Sequence, residues 1–257
     1  MTIKGRFKRA PTVKLDGASV ASVTTARVLG VYIDDARSYA SHASLMGEKA
    51  ASSFGKSAVL RSQRPAFVLL TKAYRSCSTA ALSVLVGVLP ADLEVVRAGR
   101  VQEKCEGLAG GERKTKKNEI LSDVVSAWQT RWTASGDGRE LYSFFPDIAS
   151  RLERRWVKPD YVLSQIFTGH GCFRGRLHRM TLCDTPSCYC GHDSETRDHI
   201  LWECNLYEDE RKAMIDGIEW AKVGPVYFED LTATENNFSY LRMFAHSWHK
   251  RRTDMTS

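Results

Sequence analysis

This chain of 257 residues has no run of about twenty apolar residues, so a bilayer-spanning helix is not expected. Its longest apolar run, TAALSVLVGVLP at 79–90, has twelve residues, follows Lys72 and Arg75, and reads as a buried helix. A secretory leader is also missing. Residues 1–15, MTIKGRFKRAPTVKL, are basic but have neither an apolar centre nor a cleavage signal, and export is not expected. The seven cysteines are odd in number and lack a secretory context, which argues against a disulfide framework and points to metal instead. There is no internal repeat and no low-complexity segment.

What is present suits a soluble globular protein. With 43% apolar and 26% charged residues, the chain can build one substantial core or two smaller domains. The net charge of +7 is uneven: residues 1–60 hold nine Lys/Arg against four Asp/Glu, whereas residues 205–257 hold seven against nine. A basic surplus upstream of the tail favours anionic partners, nucleic acid foremost.

Residues 11–34 read as strands. PTVKL and ASVASV flank the turn pair Asp16-Gly17, and TARVLGVYI is apolar enough for a buried strand. From Ser38 the pattern turns helical up to about residue 59, in one long helix or two broken near Gly55. Residues 66–86 and 91–108 look helical, with Pro90 between them and Asp92 and Glu94 suited to a helix start. GLAGGERKTKKNE at 107–119 reads as an exposed loop whose Arg113, Lys114, Lys116 and Lys117 are candidate nucleic-acid contacts. Ile120, Val124, Trp128 and Trp132 recur at helical spacing, which makes the tryptophans core. Residues 151–180 carry seven Lys/Arg against two acids, interleaved with Trp156, Tyr161, Phe167 and Phe173. That mixture serves either a single-strand groove or a basic helix face over aromatic core. Two terminal helices, 207–220 and 227–252, are parted by Gly224-Pro225.

The sharpest chemical signal is CDTPSCYCGHDSETRDHILWEC, 183–204. Four of the seven cysteines fall in these 22 residues, where uniform scatter would place about 0.6. Tetrahedral zinc needs four soft or borderline ligands, and Cys188-x-Cys190 followed by His199-x4-Cys204 offers them. Cys183, beyond Pro186, and His192, just after the Cys-x-Cys-Gly turn, are left out. The first pair is tighter than usual, and His199 and Cys204, five apart, are out of register on a regular helix. The alternative is a small core of buried free cysteines.

Several stretches resemble the C-terminal part of the Pol protein of non-LTR retrotransposons, the type-1 elements in particular. They are PTVKLDGASVASVTTARVLGVYID at 11–34, SQRPAFVLLTKAYRSCSTAALSVLVGVLPADLEV at 62–95, WQTRW at 128–132, FTGHGCFRGRLHRM at 167–180 and CYCGHDSETRDHILWEC at 188–204. The resemblance implies that Val28-Leu29-Gly30-Val31 occupies the last part of a reverse transcriptase palm. A helical thumb or connector would follow it, then a Cys-Cys-His-Cys knuckle that handles nucleic acid. Tyr32-Ile33-Asp34-Asp35 spells the polymerase string but lies downstream of the catalytic hairpin, and a helix is expected directly after it. A two-metal site would need a further aspartate from an earlier strand, where only Asp16 is available. No catalytic residue is therefore assigned. The fingers, most of the palm and the endonuclease of the family are missing, as are several tens of residues before Ser62, which suggests a fragment or an internally deleted copy.

The expected class is thus α+β, predominantly helical. A small antiparallel palm-edge sheet and its following helix would occupy 1–60, a helical thumb or connector 61–180, a CCHC zinc knuckle 181–210 and a helical, basic-ended tail 211–257. The parent activity would be RNA-directed DNA polymerase with endonuclease, using magnesium only in the full-length enzyme, and this chain alone would be inactive. It would keep structural zinc on Cys188, Cys190, His199 and Cys204, and would bind RNA and DNA through Arg174, Arg176 and Arg179. Its setting would be intracellular, nuclear at the point of action, with no membrane partner and with the remainder of Pol as a possible companion. A zinc-stabilised protein-interaction module is the alternative.

Overall fold

A computed structural model describes residues 56–219 and 224–256, together with the backbone of four short N-terminal strands. The strands β1 (Val13–Leu15) and β2 (Ala18–Val20) pair antiparallel with Leu15 opposite Ala18, so that Asp16-Gly17 lies between them. TARVLGVYI is not one buried strand: β3 (Thr25–Val28) and β4 (Val31–Asp34) pair antiparallel with Val28 opposite Val31. The Leu29-Gly30 pair separates them, and Tyr32 to Asp34 belong to β4. The two hairpins remain separate two-stranded ladders.

This overturns the expected α+β class with a small sheet. From Lys56 to Thr256 the described chain is helical and contains no strand. Three- and four-residue ladders of two strands cannot bury a face of their own, and a sheet needs more strands or a covering helix. The expected helix over 38–59 lies outside the described residues up to residue 55.

The helical body begins with α1 (Lys56–Thr71), which carries Pro65 inside it, and α2 (Thr79–Val86). The single helical run expected over 66–86 is interrupted because Thr71 turns its hydroxyl back onto the Phe67 carbonyl at 2.8 Å and Lys72 takes φ +53°. Helix α2 is capped at both ends. The Ser78 side chain accepts from Ala81 N at 3.1 Å, and Gly87, at φ +74°, donates to the Ser83 carbonyl at 3.0 Å. A Cβ on Gly87 would lie 2.8 Å from the Arg151 guanidinium, so the position needs glycine for space as well as for its dihedral. Arg151 is buried against the C-terminal end of α2 and donates to the Leu85 carbonyl at 2.6 Å. Burial pushes its pKa down to about 10, while the partial negative charge at the helix end favours the cation.

Helix α3 (Ala91–Lys104) starts directly after Pro90, and the buried Gln63 clamps the junction. Its Nε2 donates to the Leu89 carbonyl at 3.1 Å and its Oε1 accepts from Ala91 N at 2.8 Å. Helix α4 (Gly110–Ala134) corrects the reading of 107–119 as a loop from residue 110 onward, while residues 107–109 do lie outside the helices. Gly110 and Gly111 fall in its first turn, whose N–H groups have no intrahelical partner in any case. The straight-chain residues from Glu112 onward are good helix formers. Ile120, Val124, Trp128 and Trp132, four apart, form its buried stripe.

Short helices follow: α5 (Arg139–Tyr142), α6 (Ile148–Glu153), α7 (Tyr161–Thr168) and α8 (Arg174–Arg179). Beyond residues 180–198 and a π-turn at His199–Glu203 come α9 (Glu208–Gly217), α10 (Asp230–Ala233) and the long α11 (Glu235–Thr256). Phe67, Trp128, Phe144, Phe167 and Trp248 belong to one continuous apolar core, which also includes Cys188 and Cys204. Phe167 and Phe173 are core and cannot serve as stacking surfaces: Phe167 meets Phe144 edge-on at 4.9 Å, and Phe173 stacks on Trp248 at 5.2 Å. Among the described residues no single helix is long and apolar enough to cross a membrane.

Asp160 caps α7, accepting from Val162 N at 3.0 Å and Leu163 N at 2.9 Å, and it also meets His246 of α11 at 2.8 Å. Burial pushes its carboxyl up, but these bonds outweigh burial and leave it below the ordinary value. Asp160→Ala is expected to cost about 1 to 2 kcal/mol in denaturant unfolding at neutral pH. Because the folded pKa is depressed, the advantage is present above the ordinary carboxylate pKa of about 3.9 and fades as pH falls through the lowered value.

Candidate metal centre

Between α8 and α9 the chain makes a tight turn and then a wide one. In the first, Gly191 N donates to the Cys188 carbonyl at 3.0 Å and Cys188 N to the His192 carbonyl at 2.8 Å. Gly191 adopts φ +94°, which lets the single residue between Cys188 and Cys190 suffice to present both thiols on one side. In the second, Cys204 N donates to the His199 carbonyl at 2.8 Å, which closes a π-turn. An α-helix would set residues five apart about 140° from each other around the axis. The wider π-turn brings the fifth residue back over the first. The same turn sends Ile200 and Leu201 into the core, both fully buried.

The result is convergence. One ligand atom from each of Cys188, Cys190, His199 and Cys204 lies within 4.8 Å of all the others. A tetrahedral ion with Zn–S bonds of about 2.3 Å has vertices about 3.8 Å apart. Cys188 Sγ and Cys204 Sγ are 3.7 Å apart, and Cys190 Sγ and His199 Nε2 are 3.2 Å apart. Burial raises the Cys188 and Cys204 thiols above their ordinary value. Cys190 also feels burial, but hydrogen bonds, led by the His192 backbone N–H, leave its thiol lower than usual. Burial holds the His199 imidazole toward its neutral, ligating form. The donor set, its spacing and its partial burial therefore fit zinc, with four protein ligands and no open position.

Residues outside the quartet complete the surroundings. His199 Nδ1 faces Glu203 at 3.4 Å, the carboxylate contact that fixes a ligating ring. Sequence reading missed Glu203, although its spacing of four from His199 was visible. His192 stacks on His199 with centroids 4.2 Å apart. Cys183 lies outside the quartet and points its Sγ at the Thr185 and Arg174 carbonyls, at 3.4 and 3.5 Å. Glu195 and Arg252, a buried ion pair joining this segment to α11, were also missed, because 57 residues separate them.

The basic candidates fall on two helices. Arg113, Lys114 and Lys117 are exposed on the first half of α4, and Lys116 pairs with Glu119 at 2.7 Å. On α8, Arg174 lies over the Tyr189 ring with its guanidinium carbon 4.9 Å from the centroid. Arg176 donates to His170 Nδ1 at 2.9 Å, and Arg179 is exposed.

No family model matches the chain, and no solved structure matches it. Curated proteins do. A Pol polyprotein from the type-1 retrotransposable element R1 of Bradysia coprophila is 36% identical over 167 residues, covering 59% of this chain and 16% of that protein. One from element R1 2 of Nasonia vitripennis is 30% identical over 203 residues, covering 74% of this chain and 49% of that protein. A 115 kDa protein in the element R1DM of Drosophila melanogaster is 26% identical over 315 residues, covering 98% of this chain and 30% of that protein. The chain spans half or less of the length of these relatives. Its homologues are the Pol polyproteins of R1 type-1 retrotransposable elements, and it corresponds to a part of such a polyprotein.

Proposed function

We propose that this chain is a zinc-stabilised nucleic-acid-binding segment of a retrotransposon Pol polyprotein. RNA-directed DNA synthesis and target cleavage would belong to the whole polyprotein, and no polymerase centre would operate in this chain alone. The observation that carries the reading is the convergence of Cys188, Cys190, His199 and Cys204, in a chain whose preceding helix α8 carries Arg174, Arg176 and Arg179. With all four positions filled by protein, the zinc has a structural role. It fixes the turn against the core, and the basic side chains contact phosphate.

A salt titration of RNA and single-stranded DNA binding tests this. Log affinity should fall linearly with log salt, by about 0.7 per phosphate neutralised on a single strand. Replacing Arg174, Arg176 and Arg179 with Gln should lower that slope by up to about 2. Absence of binding by the wild-type chain at low salt would favour the zinc-stabilised protein-interaction module instead.

A further inference from the structure

The loop between α1 and α2, residues 72–78, is fastened from every side. Ser164 Oγ donates to the Thr71 carbonyl at 2.6 Å, and Ala73 N donates to Thr71 Oγ1 at 3.2 Å. Arg64 Nη2 donates to the Cys77 carbonyl at 2.6 Å, and Cys77 N to the Tyr74 carbonyl at 3.0 Å. Ser76 Oγ meets His170 Nδ1 at 2.9 Å, and Arg176 reaches the same nitrogen, which ties the loop to α8. Burial brings the His170 pKa down to about 4, so the ring is neutral and that nitrogen stays an acceptor.

A loop held this firmly nevertheless turns three large side chains outward: Lys72, Tyr74 and Arg75 are exposed. Lys72 does so at φ +53°, a conformation that is unfavourable for a side chain with a Cβ. Neither Lys72 nor Arg75 has a carboxylate partner among the described residues. Asp160, which precedes Tyr161 in the chain, is engaged with His246 and Arg242. Tyr74 meets Tyr161 from α7, hydroxyl to hydroxyl at 2.8 Å, with ring centroids 6.0 Å apart and planes inclined by 36°. Tyr74 and Tyr161 as residues remain 36% and 41% exposed although they touch, and His249 meets the Tyr161 ring edge-on at 5.8 Å.

We propose that Tyr74 and Tyr161 form a base-stacking platform for single-stranded nucleic acid, with Lys72, Arg75 and the neighbouring Arg176 taking its phosphates. This rests on the nucleic-acid reading above and names the form of the ligand. Duplex bases have no free faces, whereas unpaired bases can lie on exposed rings, and inclined neighbouring rings suit successive bases that have unstacked from each other. Lys72 and Arg75, which flank Tyr74 in the loop, match a phosphate backbone, and the rigid loop needs little ordering on binding.

The test uses the full, zinc-loaded chain with fluorescent dT and rU oligonucleotides of equal length, which separate DNA from RNA, and a duplex of the same length. Tyr74→Leu and Tyr161→Leu should each weaken single-strand binding about tenfold with the salt slope unchanged. Tyr74→Phe and Tyr161→Phe should stay near wild type, because the ring is kept and only the hydroxyl pair is lost. Lys72→Gln with Arg75→Gln, both at exposed positions, should lower the salt slope by about 1.4. The platform is overturned if the Leu variants bind single strands as the wild type does, if they lose duplex binding equally, or if the Phe variants lose as much as the Leu variants. A wild-type chain that binds no oligonucleotide would instead defeat the nucleic-acid reading itself.

Discussion

Chelation of zinc, or Cys204→Ser, is expected to release residues 183–204 from the core while the helices built on Trp128 and Trp132 persist. Apparent zinc binding by a four-ligand site of this kind is worth about 10 to 16 kcal/mol, and most of it appears as folding free energy of the segment that supplies the ligands. Apart from the buried Ile200 and Leu201 and the Glu195–Arg252 ion pair, the metal is what holds this segment. It is short and polar, and its buried ligands, Cys188 and Cys204, would otherwise stand in the core as protonated thiols, because burial raises both. The rest of the body keeps its own aromatic core, so the loss should be local. Metal analysis should give about one zinc per chain for the wild type and none for Cys204→Ser. Hydrogen exchange and proteolysis should show opening confined to the 183–204 segment and the parts of α8 and α11 next to it. Cys183→Ser is the control and should keep its metal, since the Cys183 Sγ points at backbone carbonyls away from the quartet. A metal-free chain with unchanged protection would disprove the site.

Arg252→Met is the second large effect. Glu195 sits at a junction: its carboxylate pairs with Arg252 of α11, accepts from Arg174 N at 3.3 Å, and is 1% exposed. Its backbone carbonyl accepts from Gly175 N at 3.0 Å, and its N–H donates to the Pro186 carbonyl at 2.8 Å. Removing the cation leaves a buried carboxylate without its charge partner, a change that costs about 3 to 5 kcal/mol. Removing both charges in Arg252→Met with Glu195→Gln should cost less than the single change. The pH dependence has a definite sign. Burial already holds the Glu195 carboxyl above its ordinary value, with Arg252 opposing, so loss of Arg252 raises it further. A raised folded pKa favours the protonated, acid side. The deficit of Arg252→Met relative to wild type should therefore be small below the ordinary pKa of about 4.3 and grow to its full size as pH rises through the raised value. Unfolding of the two proteins compared across pH reads this directly, and a deficit independent of pH would rule out the buried charge as its origin.

Helix faces and metal ligands were legible to different depths. The stripe Ile120, Val124, Trp128, Trp132 could be read because a helix repeats every 3.6 residues, and spacing alone places such residues on one face. The start of α3 after Pro90 was visible for a similarly local reason. Residues 110–119 misled because their glycines and charges are typical of a loop. At a helix start, however, glycine costs little, and a charged face is simply the side turned to water. TARVLGVYI misled in the other direction, since its apolar content hid that it pairs with itself as β3 and β4. The sheet expected there fails because two hairpins with no shared edge do not add up to one.

Within the 22 residues of the cysteine segment, the letters alone determined which donors were available, and chemistry alone narrowed them to a zinc-type set. Whether His199 and Cys204 could face the same ion was undecided, because five residues on an α-helix point apart. A π-turn, held open by Ile200 and Leu201 packing into the core, decided it. The tertiary structure alone also brought Glu195 to Arg252 and Tyr74 to Tyr161, the latter across 87 residues. Sequence periodicity reports only neighbours along one element. Which elements meet is set by how their buried faces fit together in the core, and no local pattern contains that information.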